Sequence, residues 1–185
     1  MSERTERVRG AVLPAVVDLL DQCGVAGLTV EAVAARSGVA KTTIYRHWPT
    51  KADLTLEALG TLHENLPTPN TGDLRKDLRA CFVEVTEHEL DDRKRRIFGS
   101  LLDAAQRDPE YAELLNDINA ERMQPLRTVL ELAQHRGQLR ADVDLDEVAD
   151  LVIGPVLARI LVSRRPVDGP FIDLVVDAFV DGLSG

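Results

Sequence analysis

The sequence has few of the features that place a protein outside the cell or in a membrane. Its 185 residues include only two cysteines, Cys23 and Cys81, which cannot form a disulfide framework, so we expect a reducing cytoplasm and buried thiols. The longest apolar stretch, 148–162, is interrupted by Asp150 and Arg159 and is too short to cross a membrane. The N-terminus is charged, so we expect no signal peptide.

Aromatic residues and catalytic motifs are also scarce. There are four phenylalanines, two tyrosines and one tryptophan, and β-branched residues follow a helical rather than an alternating spacing. The sequence contains no Ser-His-Asp set, no glycine-rich phosphate loop and no paired-cysteine site. Glu84 and His88 offer two metal ligands on one helix face without a third. We therefore expect no enzymatic activity, no cofactor and no metal site.

The net charge of −9 is unevenly distributed. Residues 1–51 carry seven Lys/Arg against five Asp/Glu, and the acidic excess lies in the remainder of the chain. From Arg36 to Lys51 there are four cations and no carboxylate. Because exposed charges more than about 10 Å apart are largely screened, a locally basic segment on an acidic chain can still bind phosphates.

A helical period dominates the whole chain and predicts an all-α fold. The predicted helices cover residues 3–23, 30–37, 40–48, 50–63, 73–90, 92–106, 108–137, 144–163 and 168–183. Gly24 is expected to stop the first helix, and Pro14 to kink or unwind it. Thr29 is the expected N-cap of the second helix, and Thr50 with Asp53 forms a predicted capping box.

Two short helices joined by Gly38 and Val39 fit a helix-turn-helix, whose second helix enters the major groove of DNA. The hydrogen-bond donors of that second helix are Lys41, Thr42, Thr43, Tyr45, Arg46 and His47. Ala40, Ile44 and Trp48 are spaced four apart and are predicted to face inward. Lys51 and Thr29 are placed to meet phosphates.

Residues 28–54 have the sequence LTVEAVAARSGVAKTTIYRHWPTKADL, which closely resembles the DNA-binding domain of the TetR family of bacterial regulators. The resemblance covers roughly residues 7–60. It implies DNA contacts by Thr29, Lys41, Thr42, Thr43, Tyr45, His47 and Lys51. In this family Tyr45 and Lys51 meet phosphates, Lys41 and Thr42 lie nearest base edges, and Arg46 fits either role. The chain departs from the family pattern at Pro14 and at Trp48, where phenylalanine is commonest.

The resemblance implies an N-terminal three-helix helix-turn-helix domain, residues 1–50, and a C-terminal helical bundle for effector binding and dimerisation, residues 51–185. It also implies a cytoplasmic homodimer, a palindromic double-stranded operator and release of DNA by an unknown small molecule, with no membrane partner. A repressor is the main hypothesis. A TetR-like activator, a regulator without a ligand and, more remotely, a small helical enzyme or carrier are the alternatives.

Two residue sets are predicted in the C-terminal part. A mostly apolar effector site is predicted from Phe82, Val85, His88, Phe98, Leu101, Leu102, Tyr111, Leu115 and Met123, and it favours a hydrophobic, neutral or cationic molecule. The wide apolar faces of the last two helices predict a four-helix dimer interface. Its predicted residues are Val152, Val156, Leu157, Ile160, Val175 and Phe179. The run Arg93–Arg96 is expected to lie on a solvated helix face beside Asp91 and Asp92.

Overall fold

The computed structural model describes residues 3–62, 68–88 and 91–183, with the backbone alone described for residues 83–88 and 183. Every regular element in these ranges is helical, which confirms the all-α prediction. The α-helices are α1 (Glu3–Gly27), α2 (Val30–Ser37), α3 (Lys41–His47), α4 (Lys51–Gly60), α5 (Leu74–His88), α6 (Asp92–Ala105), α7 (Pro109–His135), α8 (Leu145–Leu157) and α9 (Gly169–Leu183). A π-helical segment, Ala158–Ser163, follows α8 directly.

The chain divides into two compact units. The first unit draws on Met1–Glu64 and Asp92–Asn119, and the second on Asn65–Asp91 and Ala120–Gly185. Helix α7 therefore contributes its N-terminal part to the first unit and the rest to the second. This division follows packing, whereas the boundary predicted between residues 50 and 51 concerns function and stays a prediction.

The core of the first unit forms around α1. Val12, Val16 and Leu20 are at most 1% exposed and belong to one apolar cluster with Val33 and Ile44 of the helix-turn-helix. Burial of one such side chain stabilises a fold by roughly 1.5–3 kcal/mol. Among the described helices, only α1 is long and apolar enough to cross a membrane, and its buried side chains are those of a core helix.

Gly24 breaks α1, as the sequence predicts. Its φ is 66° and its ψ −179°, a left-handed φ that strains any residue with a Cβ. A Cβ there would also lie 3.0 Å from the Cβ of Ser100 on α6, so the glycine permits close helix approach. The backbone keeps helical torsion angles at the exposed Pro14, so the unwinding expected there is absent.

The core of the second unit joins α5, α8, α9 and the C-terminal part of α7. Phe82, Leu130 and Val156 are at most 2% exposed and belong to its apolar cluster. Outside the cluster, Arg79 of α5 lies 2.6 Å from Asp173 of α9, and the α5–α9 contact is further supported by ion pairs one and two turns along the helices.

The single helix predicted over residues 144–163 consists of an α-helical and a π-helical part. Asp144 caps α8, and its carboxylate accepts hydrogen bonds from the backbone N–H groups of Asp146 and Glu147. The α-helix stops at Leu157 and the π-helical segment continues to Ser163, ending at Arg164 with a φ of 50°. Pro155 lies within the regular α-helix, and the donor it lacks would bind the Leu151 carbonyl, so it does not account for the π-helical winding that begins at Ala158.

Candidate nucleic-acid interface

The helix-turn-helix is built by local capping, as the sequence predicts. The Oγ1 atom of Thr29 accepts a hydrogen bond from the Ala32 N–H at 3.2 Å and starts α2. Gly38 ends α2 in the left-handed region, with a φ of 70°, and its N–H donates to the Ala34 carbonyl at 3.0 Å. These two caps fix the turn that leads into α3.

Helix α3 separates a buried side from an exposed side. Ile44 is fully buried and Trp48 is 3% exposed, as predicted, whereas Ala40 is exposed and does not face inward. Ala40 is the N-cap residue, so it lies outside the helical register used to predict its direction. The exposed side carries Lys41, Thr42, Tyr45 and Arg46, while Thr43 and His47 are half-buried. The hydrogen-bond donors predicted for this helix therefore lie on one short helix whose opposite side is held in the core by Ile44 and Trp48.

Lys41 is held by an acidic partner on α2. Its Nζ lies 2.8 Å from Glu31 Oε1, and both side chains are more than half exposed. Their hydrogen bond raises the pKa of Lys41 and lowers the pKa of Glu31. Both shifts favour the charged forms, so the ion pair between Lys41 and Glu31 is the state of these two side chains in the DNA-free chain.

Lys51 is half-buried in the first unit. Its Nζ donates to the Val25 carbonyl at 3.4 Å and lies 5.6 Å from the ring centroid of Tyr111. Tyr111 is 5% exposed, and burial raises its pKa to about 12, with a smaller opposite effect of the Thr55 hydroxyl. Without DNA, the Lys51 ammonium is therefore engaged by the Val25 carbonyl and the Tyr111 ring, and it would have to leave them to bind a phosphate.

Sequence reasoning missed the contact that holds the end of α3. The Trp48 Nε1–H donates to Glu57 Oε2 at 2.8 Å, and Arg9 Nε lies 2.5 Å from Glu57 Oε1. The Glu57 carboxylate raises the pKa of Arg9 through this hydrogen bond. The signal in the sequence was Trp48 itself, because an indole N–H needs an acceptor that phenylalanine does not.

The arginines at the start of α6 pair with α1 instead of forming a free basic patch. Arg93 Nη2 lies 2.5 Å from Asp18 Oδ1, and Arg96 Nη2 lies 2.7 Å from Asp21 Oδ1. Asp18 also lies 3.8 Å from Arg36 of α2. The sequence predicted a solvated helix face rather than a nucleic-acid patch; Arg96 is exposed, and in addition Arg93 and Arg96 join α6 to α1 through ion pairs.

The predicted effector residues lie in both units. Leu101 and Tyr111 are buried in the core of the first unit, whereas Phe82 is buried in the core of the second with Met123 packed against it. The remaining described members, Phe98, Leu102 and Leu115, are half-buried. The side chains of Val85 and His88 lie outside the described residues. The assignment of this set to an effector stays a prediction.

The predicted dimer residues lie mainly inside the second unit. Val152, Val156, Ile160 and Val175 are at most 9% exposed and pack in the core of the single chain. Their assignment to a dimer interface stays a prediction. Leu157 and Phe179 are half-buried. The width of the apolar face in the sequence does not distinguish residues that pack on the chain's own core from residues that contact a partner.

The cysteines also differ from expectation in one case. Cys23 is exposed rather than buried, and its Sγ donates to the Leu19 carbonyl at 3.1 Å. Cys81 is partly buried and packs against the core of the second unit. The prediction of buried thiols is therefore wrong for Cys23, which lies in α1 directly before its break at Gly24.

Both parts of the chain match known domains. Residues 13–58 match the family model for bacterial regulatory proteins of the tetR family, and residues 68–179 match the tetracyclin repressor-like, C-terminal domain. The chain is 32% identical over 182 residues to YdeS of Bacillus subtilis (strain 168), an uncharacterised HTH-type transcriptional regulator, covering 95% of this chain and 90% of that protein. It is 29% identical over 181 residues to the DNA-binding transcriptional repressor TetR of Mycobacteroides abscessus, covering 96% and 94%.

Solved structures agree with these matches. The TetR family transcription regulator SCO0332 is 37% identical, with a TM-score of 0.69 and coverage of 97% of this chain and 100% of that chain. Salmonella enterica GusR shares the fold, with a TM-score of 0.78, 21% identity and coverage of 100% and 99%. Since both domains and full-length relatives are transcription regulators, the chain is a DNA-binding regulator and not an enzyme, and it belongs to the TetR family.

Proposed function

We propose that the chain is a cytoplasmic, homodimeric repressor that binds a palindromic operator and is released by a small hydrophobic effector. In this proposal residues 1–50 recognise DNA together with Lys51, which directly follows them, and the remainder of residues 51–185 serves effector binding and dimerisation. The observation that carries the DNA-binding part is α3, where Ile44 and Trp48 anchor one side and a row of donors is exposed on the other. The name of the Mycobacteroides abscessus relative, a repressor, favours repression over activation.

The exposed side of α3 supplies the proposed base contacts. Lys41 and Thr42 stand at its N-terminal end, the part of a recognition helix that meets base edges. Thr43, Arg46 and His47 complete the groove-facing set. Thr29, Tyr45 and Lys51 are assigned to phosphates, which set the register of the protein on the duplex without selecting a sequence.

The proposed dimer surface uses exposed residues of the last helices in place of the buried ones predicted from sequence. Leu151 is 65% exposed, Leu174 64% and Val162 82%. Exposed Pro155 and Ala158 continue the stripe of Leu151 at helical spacing. Two copies of these stripes meeting across a two-fold axis would cover them and pair the two recognition helices.

The proposed trigger requires an effector that prefers the released form of the dimer. A ligand with equal affinity for both forms changes nothing, and a shift from 99:1 to 1:99 needs about 5.5 kcal/mol of differential binding. The predicted effector residues are mostly apolar, and the acidic C-terminal part favours neutral or cationic compounds over anions.

Selection of binding sites from a random DNA library tests the DNA-binding part. We expect a palindrome whose half-sites lie one helical turn, or a multiple of it, apart. Lys41→Ala should change the preference at one position of each half-site by about tenfold to a hundredfold. An unchanged sequence preference and affinity would contradict the placement of α3 in the groove.

Two further measurements test repression and release. A reporter driven by the selected operator should be silenced by the chain, whereas increased expression would indicate an activator. Thermal-shift screening with neutral hydrophobic, cationic and anionic compounds should give hits in the first two classes that also release DNA. Hits confined to small polar anions would refute the hydrophobic effector, and binders that never displace DNA would refute the trigger.

A further inference from the structure

The recognition helix is tied to two other helices through one carboxylate. Glu57 of α4 accepts the Trp48 Nε1–H with one oxygen, at 2.8 Å, and pairs with Arg9 of α1 through the other, at 2.5 Å. Trp48 is the C-cap residue of α3 and is 3% exposed. The Glu57 side chain is 29% exposed and the Arg9 side chain 35%, so the carboxylate sits at the edge of the core.

This arrangement constrains the position of Trp48 more than apolar packing alone. A buried N–H without an acceptor loses free energy, and a bond to a charged acceptor is shorter and stronger than a neutral one. Apolar packing has no preferred direction, whereas a hydrogen bond to a carboxylate has one. Because Arg9 engages the second oxygen of Glu57, the direction of the Trp48 bond is set by α1 as well as by α4.

We propose that Glu57 is a positioning residue for sequence-specific DNA binding. It acts through Trp48 and fixes the C-terminal end of α3 against α1 and α4. Base contacts require placement of side chains to within roughly 0.5 Å, whereas long lysines can follow phosphates over a wider range. Loss of the Glu57 contact therefore reduces specific binding more than non-specific binding. This inference rests on the proposed placement of α3 in the major groove.

The test compares Glu57→Ala and Glu57→Gln in the natural chain and in a Trp48→Phe background. Affinities are measured for the DNA selected from the random library and for an unrelated duplex of equal length. Glu57→Ala should weaken binding to the selected DNA by at least about tenfold, since a bond to a charged group is lost in each protomer, and change non-specific binding by less than about twofold. Glu57→Gln retains an acceptor oxygen, so its affinity for the selected DNA should lie between those of the natural chain and Glu57→Ala.

The Trp48→Phe background separates positioning from general stability. Phenylalanine has no N–H, so Glu57→Ala in this background should change specific binding by less than about threefold. Glu113→Ala is the matched control, because Glu113 is an exposed acid of the same unit and its removal changes the net charge equally. It should leave the ratio of specific to non-specific affinity unchanged.

Fluorescence gives an independent readout, because Trp48 is the only tryptophan of the chain. Glu57→Ala should shift the emission to longer wavelength and lower its anisotropy while helicity is retained. Unchanged emission with unchanged specificity would overturn the proposal, as would an equal loss of both binding modes. If Glu57→Ala does not fold, Glu57→Gln is compared in the natural chain and in the Trp48→Phe background, and the same criteria apply. Failure of the natural chain to select any DNA sequence would instead refute the proposed function.

Discussion

The two lysines proposed to meet DNA are held in different ways before DNA arrives. Lys41 is exposed and pairs with Glu31, a contact that salt screens readily. Lys51 is half-buried between the Val25 carbonyl and the Tyr111 ring, where water screens its charge less. On the proposed assignment, the Lys41 contact would be easily exchanged for a base, whereas a phosphate bound by Lys51 would compete with contacts in the interior of the first unit.

Replacing Lys51 with methionine should weaken binding to all DNA sequences alike. The loss of one phosphate contact in each of two protomers should reduce the slope of log affinity against log salt by about 1.8. Titrations at several salt concentrations measure this slope, with Lys76→Met, an exposed lysine of α5, as control. A change of preferred sequence without a change of slope would place Lys51 at a base instead.

Replacing Glu31 with glutamine should tighten DNA binding a few-fold. The change removes the partner that holds Lys41 and a negative charge beside the proposed phosphate contact of Thr29. Glu131→Gln, an exposed acid of the second unit, controls for the change of net charge. Weaker binding of the Glu31 variant would mean that the ion pair orients Lys41 for its base.

Among the elements, the turn between α2 and α3 depends on one glycine. Gly38 has a φ of 70°, and nothing lies within 4 Å of a Cβ built there, so strain alone opposes a side chain. Gly38→Ala should cost about 1–2 kcal/mol of unfolding free energy. Gly10→Ala, in the open and regular part of α1, should instead stabilise by roughly 0.5–1 kcal/mol. Urea unfolding measures both, and equal effects would contradict the strain at the turn.

The sequence predicted the elements well where the cause is local. Thr29, Gly38 and the Thr50–Asp53 capping box act within a few residues, and all three behave as predicted. The π-helical segment was missed because apolar spacing shows that a helix is present over these residues without distinguishing α-helical from π-helical winding.

Features that depend on residues far apart in the sequence could not be predicted from helical spacing. Helical spacing places Val152 on the apolar face of α8 and leaves Leu151 off it, but it cannot tell whether that face packs on the chain's own core or on a partner. The contact of Glu57 with Arg9 and Trp48 joins three helices, and no periodicity encodes it. The donors of α3 were predictable because their chemistry and spacing are contained in one short segment.

For the whole molecule, dimerisation should depend on the exposed stripes of α8 and α9. Leu151→Arg and Leu174→Arg should give folded monomers, since both side chains are about two-thirds exposed in the single chain. Val156→Arg should fail to fold, because Val156 is fully buried and its charge would have no partner. Sedimentation velocity and circular dichroism distinguish these cases. A stable dimer after both leucine changes would place the interface elsewhere.

The break of α1 at Gly24 is followed by one residue, Val25, whose backbone N–H and C=O are each bound by a side chain of another helix. The Val25 N–H donates to Ser100 Oγ of α6 at 3.3 Å, and its carbonyl accepts from Lys51 of α4. An amide past a break in a helix normally exchanges with solvent quickly, but this one is protected while Ser100 stays in place. Deuterium uptake at the Val25 amide should therefore report each separation of α6 from α1, and exchange as slow as that of the buried α1 amides would show that the Ser100 contact stays closed.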